Sequence, residues 1–287
     1  MIRNKYTGED IIFSCEVFPP KRDDDIYEIF QTLDAIEDLK PDYISVTYGA
    51  GGSNSKKTAK ISSYIQNVCD VEALAHMTAV GMTHESLTER LEELKKKAVG
   101  RILALRGDKP RTMTEEEFEA REFRYASDLI REINRFGGFR IAAACYPEKH
   151  PESKDVETDI RYLKEKCDLG VEELITQMFF DNEKFYRFRE KIEAVGIKAS
   201  LHAGIMPITR VNQLGTSVSL SGSSVPTELS NMIAKYAEDP AGMREAGIEY
   251  AVRQIEDLMK NGITGVHIYS MNKADVTREI YNAVVGE

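Results

Sequence analysis

Glu16 lies within an apolar run, Phe13-Ser14-Cys15-Glu16-Val17-Phe18, and two prolines follow directly. The β-branched and aromatic residues of 11–18 suit a pleated strand. Pro19 and Pro20 cannot donate to a sheet ladder, so the strand must stop there. Glu16 therefore stands near the C-terminal end of a strand, where parallel sheets and barrels place their chemistry. Its apolar neighbours predict partial desolvation. That raises a glutamic acid above its usual value of about 4.3 and keeps it protonated, as a general acid requires.

Other polar residues gather where further apolar runs end. Thr47 lies in Val46-Thr47-Tyr48-Gly49-Ala50-Gly51-Gly52, His76 within the third run, and Arg106-Gly107-Asp108 after the fourth. Tyr146-Pro147-Glu148-Lys149-His150 follows the fifth run, and Gln177 lies in the sixth. In a barrel these ends converge on one face. The glycine-rich turn after Tyr48 is either a plain turn or a place where a ligand approaches the backbone closely. It lacks the Gly-Lys-Ser/Thr ending of a Walker A loop, and no GxGxxG turn follows the first strand. His76 is either a satisfied core histidine or a site residue. With His150 and His202 it matches no standard metal spacing, so no metal is expected. Arg106 and Asp108 form either a structural ion pair or a clamp for a planar polar ligand. Gln177 either pairs with backbone or offers donors and acceptors to a pterin or flavin edge.

The elements that would carry these residues alternate along the chain. Strand-like runs cover 11–18, 43–48, 73–80, 101–105, 140–146, 173–180, 199–205 and 265–269. Amphipathic stretches lie between them: Ile26, Ile29, Phe30, Leu33, Ile36 and Leu39 recur at helical spacing, as do Leu87, Leu91 and Leu94. Segments 158–169 and 183–195 read the same way, and Gly137-Gly138, Gly170 and Gly196 follow helical patterns as C-terminal caps do. Eight strand–helix units predict a single (β/α)8 TIM barrel over residues 1–287. Residues 227–237 and 239–261 add helical material before the last strand, and 273–285 can form a closing helix. The serine-rich segment 215–226 is either an ordinary exposed connection or a mobile loop at the active face.

The chain has 287 residues, enough for one such barrel, and a formal net charge of -10. The charge argues against a general affinity for nucleic acid or anionic membrane, although a local basic pocket remains compatible with it. No apolar run approaches the roughly 20 residues needed to span a bilayer. The start shows no apolar signal-peptide core, so a cytoplasmic location is expected. Cys15, Cys69, Cys145 and Cys167 are widely spaced, and read as buried free thiols of a reducing compartment.

Together the motifs resemble the methylenetetrahydrofolate reductase family in its bacterial catalytic-barrel form. The marks are Cys15-Glu16-Val17-Phe18-Pro19-Pro20, Ser45-Val46-Thr47-Tyr48-Gly49-Ala50, Ala104-Leu105-Arg106-Gly107-Asp108, Ala144-Cys145-Tyr146-Pro147-Glu148-Lys149-His150-Pro151 and Ile175-Thr176-Gln177-Met178-Phe179-Phe180-Asp181. The resemblance implies a TIM barrel with non-covalent FAD that reduces 5,10-methylenetetrahydrofolate to 5-methyltetrahydrofolate, in one-carbon metabolism and methionine biosynthesis. It implies that Glu16 is the acid that opens the folate's five-membered ring, and that Asp108 supports the developing cation. For FAD it implies Thr47, Tyr48, Ala50, His76, Arg106, Gly107, Asp108, Tyr125, Ala126, Tyr146, His150, Asp159 and Lys166. For folate it implies Glu16, Asp108, Gln177, Gln213 and Lys273.

Several positions depart from that pattern. Tyr162 and Glu165 stand where bacterial relatives often carry Asn and Arg, and Lys273 where they often carry Arg. Ser217 replaces an aromatic that helps sandwich nicotinamide, and His202-Ala203 precede Gly204 where many relatives have proline. These changes raise the expectation that the electron donor is either NADH or a partner subunit, within a homo- or hetero-oligomer. A flavin-free Schiff-base lyase and a non-catalytic flavin- and folate-holding subunit are the competing readings. The lyase lacks a lysine within a strand core.

Overall fold

A computed structural model describes residues 1–22, 25–49 and 55–286. Ala50, Gly51 and Gly52 lie outside the described residues. The chain opens with β1 (Ile2–Arg3), β2 (Asp10–Val17), α1 (Ile26–Glu37), β3 (Tyr43–Val46), α2 (Ser55–Asn67) and β4 (Glu72–Thr78). It continues through α3 (His84–Lys96), β5 (Arg101–Leu105), α4 (Glu115–Glu119), α5 (Ala126–Phe136), β6 (Arg140–Cys145) and α6 (Val156–Asp168). Then come β7 (Glu173–Thr176), α7 (Asn182–Ala194), β8 (Ser200–Ile205), α8 (Val211–Ser221) and α9 (Thr227–Lys235). The chain ends with α10 (Pro240–Lys260), β9 (Gly265–Tyr269) and α11 (Ala274–Val285).

Strands β2 to β9 pair in parallel in chain order, and β9 pairs back onto β2 from Ile12↔Gly265 to Glu16↔Tyr269. The eight-stranded barrel is closed, as expected. The antiparallel β1, paired with β2, is an addition. Alternation along each strand divides the side chains between two layers. On β3, Ile44 and Val46 join the large core between barrel and helices, whereas Tyr43 joins Leu74, Leu103, Ala142 and Ile175 in a separate small cluster.

The barrel interior also carries a polar network. Arg101 reaches Glu72 at 2.7 Å and Glu173 at 2.5 Å, and lies over the Tyr43 ring. The Tyr43 hydroxyl and His202 Nδ1 are 2.9 Å apart, and Ser14 Oγ and His267 Nδ1 2.8 Å apart. Burial is the main cause that pushes both histidines below their ordinary values, which favours neutral rings.

Two segments differ from the sequence reading. The sixth apolar run ends as a strand at Thr176. Met178 and Phe180 instead pack, outside the sheet, against Met206, Ile208, Leu229 and Met243. The serine-rich stretch is helical through Ser221, because Leu214 and Val218 pack onto that same cluster. Only the part beyond Gly222 is a connection before α9.

Candidate active site

Glu16 is next to last in β2, and the barrel's pleat brings it opposite His76 of β4, with Oε2 3.5 Å from Nε2. Desolvation raises Glu16 to about 8 and lowers His76 to about 3. At neutral pH the pair is therefore a protonated carboxyl group beside a neutral imidazole. The separation exceeds a good hydrogen bond. His76 Nε2 is buried without a hydrogen-bond partner among the described residues. A buried polar atom left in that state costs about 1–3 kcal/mol, which a ligand can recover. His76 is thus not a satisfied core histidine.

A cleft of about 600 Å³ opens between the segments that follow β5 and β6 and the start of α5. Arg106, Tyr125, Ala126, Tyr146, His150, Asp159 and Lys166 all line it. Arg106 donates both Nη groups to Glu152, one of them at 2.8 Å, so here its partner is Glu152 rather than Asp108. Lys166, on α6, donates to Ala144 O at 2.8 Å, and burial lowers its pKa. Asp159 accepts from His150 N at 3.0 Å and Ser153 Oγ at 2.7 Å, which shapes the loop after β6. Tyr125 holds an exposed ring at the start of α5. Gly107 is bound to this turn by close approach. At φ +82°, a Cβ there would stand 2.8 Å from Thr78 Cβ.

Asp108 is exposed at the same strand end, and its charge reaches Tyr146. Burial first, then Asp108, pushes the Tyr146 hydroxyl up to about 12. Thr47 follows β3, where its N–H donates to Val17 O at 3.0 Å. Tyr48 is buried beside His76 in a small hollow apart from the main cleft.

A second cleft, of about 300 Å³, is lined by Phe18, Arg210, Gln213, Tyr269 and Lys273 among others. Gln213, on α8, accepts from Thr209 N at 3.1 Å and donates to Pro207 O at 2.9 Å. Lys273 is lowered by burial and by the positive charge of Arg210. Gln177 follows β7, accepts from Met178 N at 2.9 Å and lines neither cleft. Its neighbour Thr176 connects it to Tyr269, whose hydroxyl donates to Thr176 O at 2.7 Å. Tyr269 lines the second cleft and lies within electrostatic reach of both Glu16 and Tyr146, so it stands between the two clefts. Gly204 makes room for that ring: a Cβ there would stand 2.8 Å from Tyr269 Cε2.

The structure does not gather His76, His150 and His202. Among the described residues the only metal-compatible cluster is Asp34, Glu37 and Cys69. His202 belongs to the interior network and not to the mouth, which removes it from the changes grouped around the donor loop. Ser217 is buried on α8. Sequence reading missed Arg210, Glu152 and Tyr269. Tyr269 carries the signal that marked the other sites, a polar group at a strand's last position. Arg210 and Glu152 carry no local signal.

Comparison with known proteins extends the resemblance to the whole chain. The sequence profile described as Methylenetetrahydrofolate reductase matches residues 1–285. The 5,10-methylenetetrahydrofolate reductase of Pectobacterium carotovorum subsp. carotovorum is 32% identical over 267 residues, covering 93% of this chain and 88% of that protein. The protein of the same name from Escherichia coli (strain K12) is 30% identical, with the same coverage. Methylenetetrahydrofolate reductase (NADH) 1 of Arabidopsis thaliana is 31% identical over 91% of this chain but 46% of its own length. Among solved structures, an uncharacterized protein from Clostridium thermocellum that binds two copies of 5-methyl-5,6,7,8-tetrahydrofolic acid superposes with a TM-score of 0.65. It is 16% identical, covers 96% of this chain and 94% of that one, and shows the shared fold. With a profile match across nearly every residue and bacterial relatives at about 30% identity, the chain belongs to the methylenetetrahydrofolate reductase family.

Proposed function

We propose that this oxidoreductase reduces 5,10-methylenetetrahydrofolate to 5-methyltetrahydrofolate with Glu16 as general acid and FAD as the bound hydride source. The family membership supplies the overall reaction, methylenetetrahydrofolate to methyltetrahydrofolate. The single observation that supports the acid role is the raised pKa of Glu16, about 8, at the mouth of the barrel. A carboxyl group that is still protonated at pH 7 can give its proton to N10 as the bond from N10 to the methylene carbon breaks. The bond's electrons go to N10, and the carbon remains on N5 as an iminium. Hydride addition at that carbon yields the methyl group, and the Glu16 carboxylate regains a proton from solvent. Asp108 is exposed just after β5, and its negative charge favours the cation that develops on the substrate.

The residues present fit a flavin dinucleotide. The 600 Å³ cleft has a fixed cation in Arg106. Lys166 spends one proton on Ala144 O, which leaves two of its three for phosphate oxygens. Asp159 suits ribose hydroxyls, the exposed Tyr125 ring suits the adenine, and His76 Nε2 lacks a partner at the barrel mouth. Thr47, Tyr48 and Gly107 adjoin that mouth. FAD, when bound, supplies the hydride and the protein supplies its orientation. Gln177, Gln213 and Lys273 serve the folate, with Lys273 attracting a glutamate carboxylate as a point charge.

The buried hydroxyl of Ser217 presents no ring to stack on nicotinamide, which supports a second reading: reduction by a partner subunit instead of free NADH. One experiment tests both. The purified chain shows a flavin spectrum, or regains one with added FAD. Anaerobic NADH is then mixed in, followed by methylenetetrahydrofolate. Bleaching by NADH alone removes the partner reading. Failure to bleach, with turnover by a reduced dye, supports it. A colourless chain that refuses FAD overturns the flavin assignment.

A further inference from the structure

The ladder between β2 and β9 ends at Glu16↔Tyr269. Beyond it the two strands would part, since Pro19 and Pro20 offer no N–H. Side chains carry the pairing on instead. Ser270 Oγ donates to Glu16 O at 2.5 Å. Asn272 Oδ1 accepts from Phe18 N at 3.0 Å, and Asn272 Nδ2 donates to Phe18 O at 2.9 Å. One amide thus reproduces the donor and acceptor of a strand partner.

Holding that amide in place has a conformational cost. Met271 and Asn272 are consecutive non-glycine residues at φ 52° and 55°. Left-handed backbone is unfavourable for any residue with a Cβ, less so for asparagine, and such conformations persist only where surrounding contacts enforce them. Asn272 N donates to Ser270 Oγ at 3.1 Å and Lys273 N to Ser270 O at 2.9 Å, which closes the turn on itself. The turn then delivers Lys273 beside Arg210 in the second cleft, while its other side grips the backbone on both flanks of Val17.

We propose that Asn272 is a positioning residue that locks the acid-bearing end of β2 to the turn carrying Lys273, so that proton donor and substrate anchor keep one fixed separation. This inference rests on the reading of Glu16 as the acid. Misplacement by about 1 Å costs on the order of 10²-fold in rate, so a rigid coupling between these two groups has a use that strand pairing alone cannot meet here. Asn272 is itself part of neither cleft's lining, and its amide bonds the backbone of Phe18 rather than Glu16's carboxyl group.

The test compares Asn272→Gly, which accepts the left-handed backbone but loses both bonds, with Asn272→Asp, which keeps the acceptor to Phe18 N alone. For Asn272→Gly, kcat for methylenetetrahydrofolate reduction falls about tenfold or more while KM changes by less than about threefold. Asn272→Asp falls between Gly and the parent. Flavin content and the rate of flavin reduction are unchanged. Independently of folate, the infrared carboxyl band of Glu16, identified by its loss in Glu16→Gln, titrates about one pH unit lower in Asn272→Gly as water reaches the loosened strand end. A Gly variant with kcat within about twofold and an unmoved band overturns the proposal. If the parent enzyme itself fails to turn over folate, the function reading falls, and the band alone decides whether Asn272 positions Glu16.

Discussion

Glu16→Gln separates the acid's chemistry from its effect on folding. Glu16 titrates near 8 when folded and near the ordinary 4.3 when unfolded. Between those values the native state holds a proton that the unfolded chain has released. Native stability therefore falls as pH rises through that window, and levels off above it. Each pH unit is worth about 1.36 kcal/mol, and the side chain keeps a fifth of its exposure, so the total is on the order of 3–5 kcal/mol. Glutamine keeps the shape and never ionises. The variant should match the parent within about 1 kcal/mol at pH 5 and exceed it by about 3 kcal/mol or more at pH 9. Urea unfolding of the flavin-loaded protein at both pH values measures the difference. Folate reduction should fall about 10²-fold or more in the same variant while flavin reduction persists. An equal stability difference at pH 5 and pH 9 would refute the raised pKa. Intact folate turnover would refute the acid role even if the stability result holds.

The same pKa gives the parent enzyme an alkaline limb: kcat for folate reduction falls above about pH 8, and a flat steady-state profile to pH 9 contradicts the assignment. Lys166→Met keeps the bulk and removes the buried charge. Losing one charge-assisted bond to a phosphate weakens FAD binding about 10- to 100-fold, as read by flavin fluorescence, and an unchanged Kd rejects the contact. Gly107→Ala forces a Cβ to 2.8 Å from Thr78 Cβ at φ +82°, so urea unfolding should show a loss of about 3 kcal/mol; a loss under about 1 kcal/mol means the turn yields freely.

Residues that obey a local rule were readable in the sequence. Glu16, Thr47, Arg106 and Tyr146 stand where apolar runs stop, and the barrel turns those stops into one face. The run 173–180 reads as strand throughout, yet its strand stops at Thr176, because apolarity marks burial and not its partner. Met178 and Phe180 are buried under α9 and α10 rather than in the sheet. In the serine-rich helix, Val211, Leu214 and Val218 recur at helical spacing, but serine and glycine have poor helix propensity and masked that stripe. Asn272 lay beyond any such rule. Its partner Phe18 is 254 residues away, and its value comes from a ladder that ends at Glu16. Local patterns announce which elements form, because one chain segment carries the whole signal. The join between the first and last barrel strands exists only after closure. A residue that works at that join is therefore visible only in three dimensions, and its effect is best sought at the distant strand end it holds.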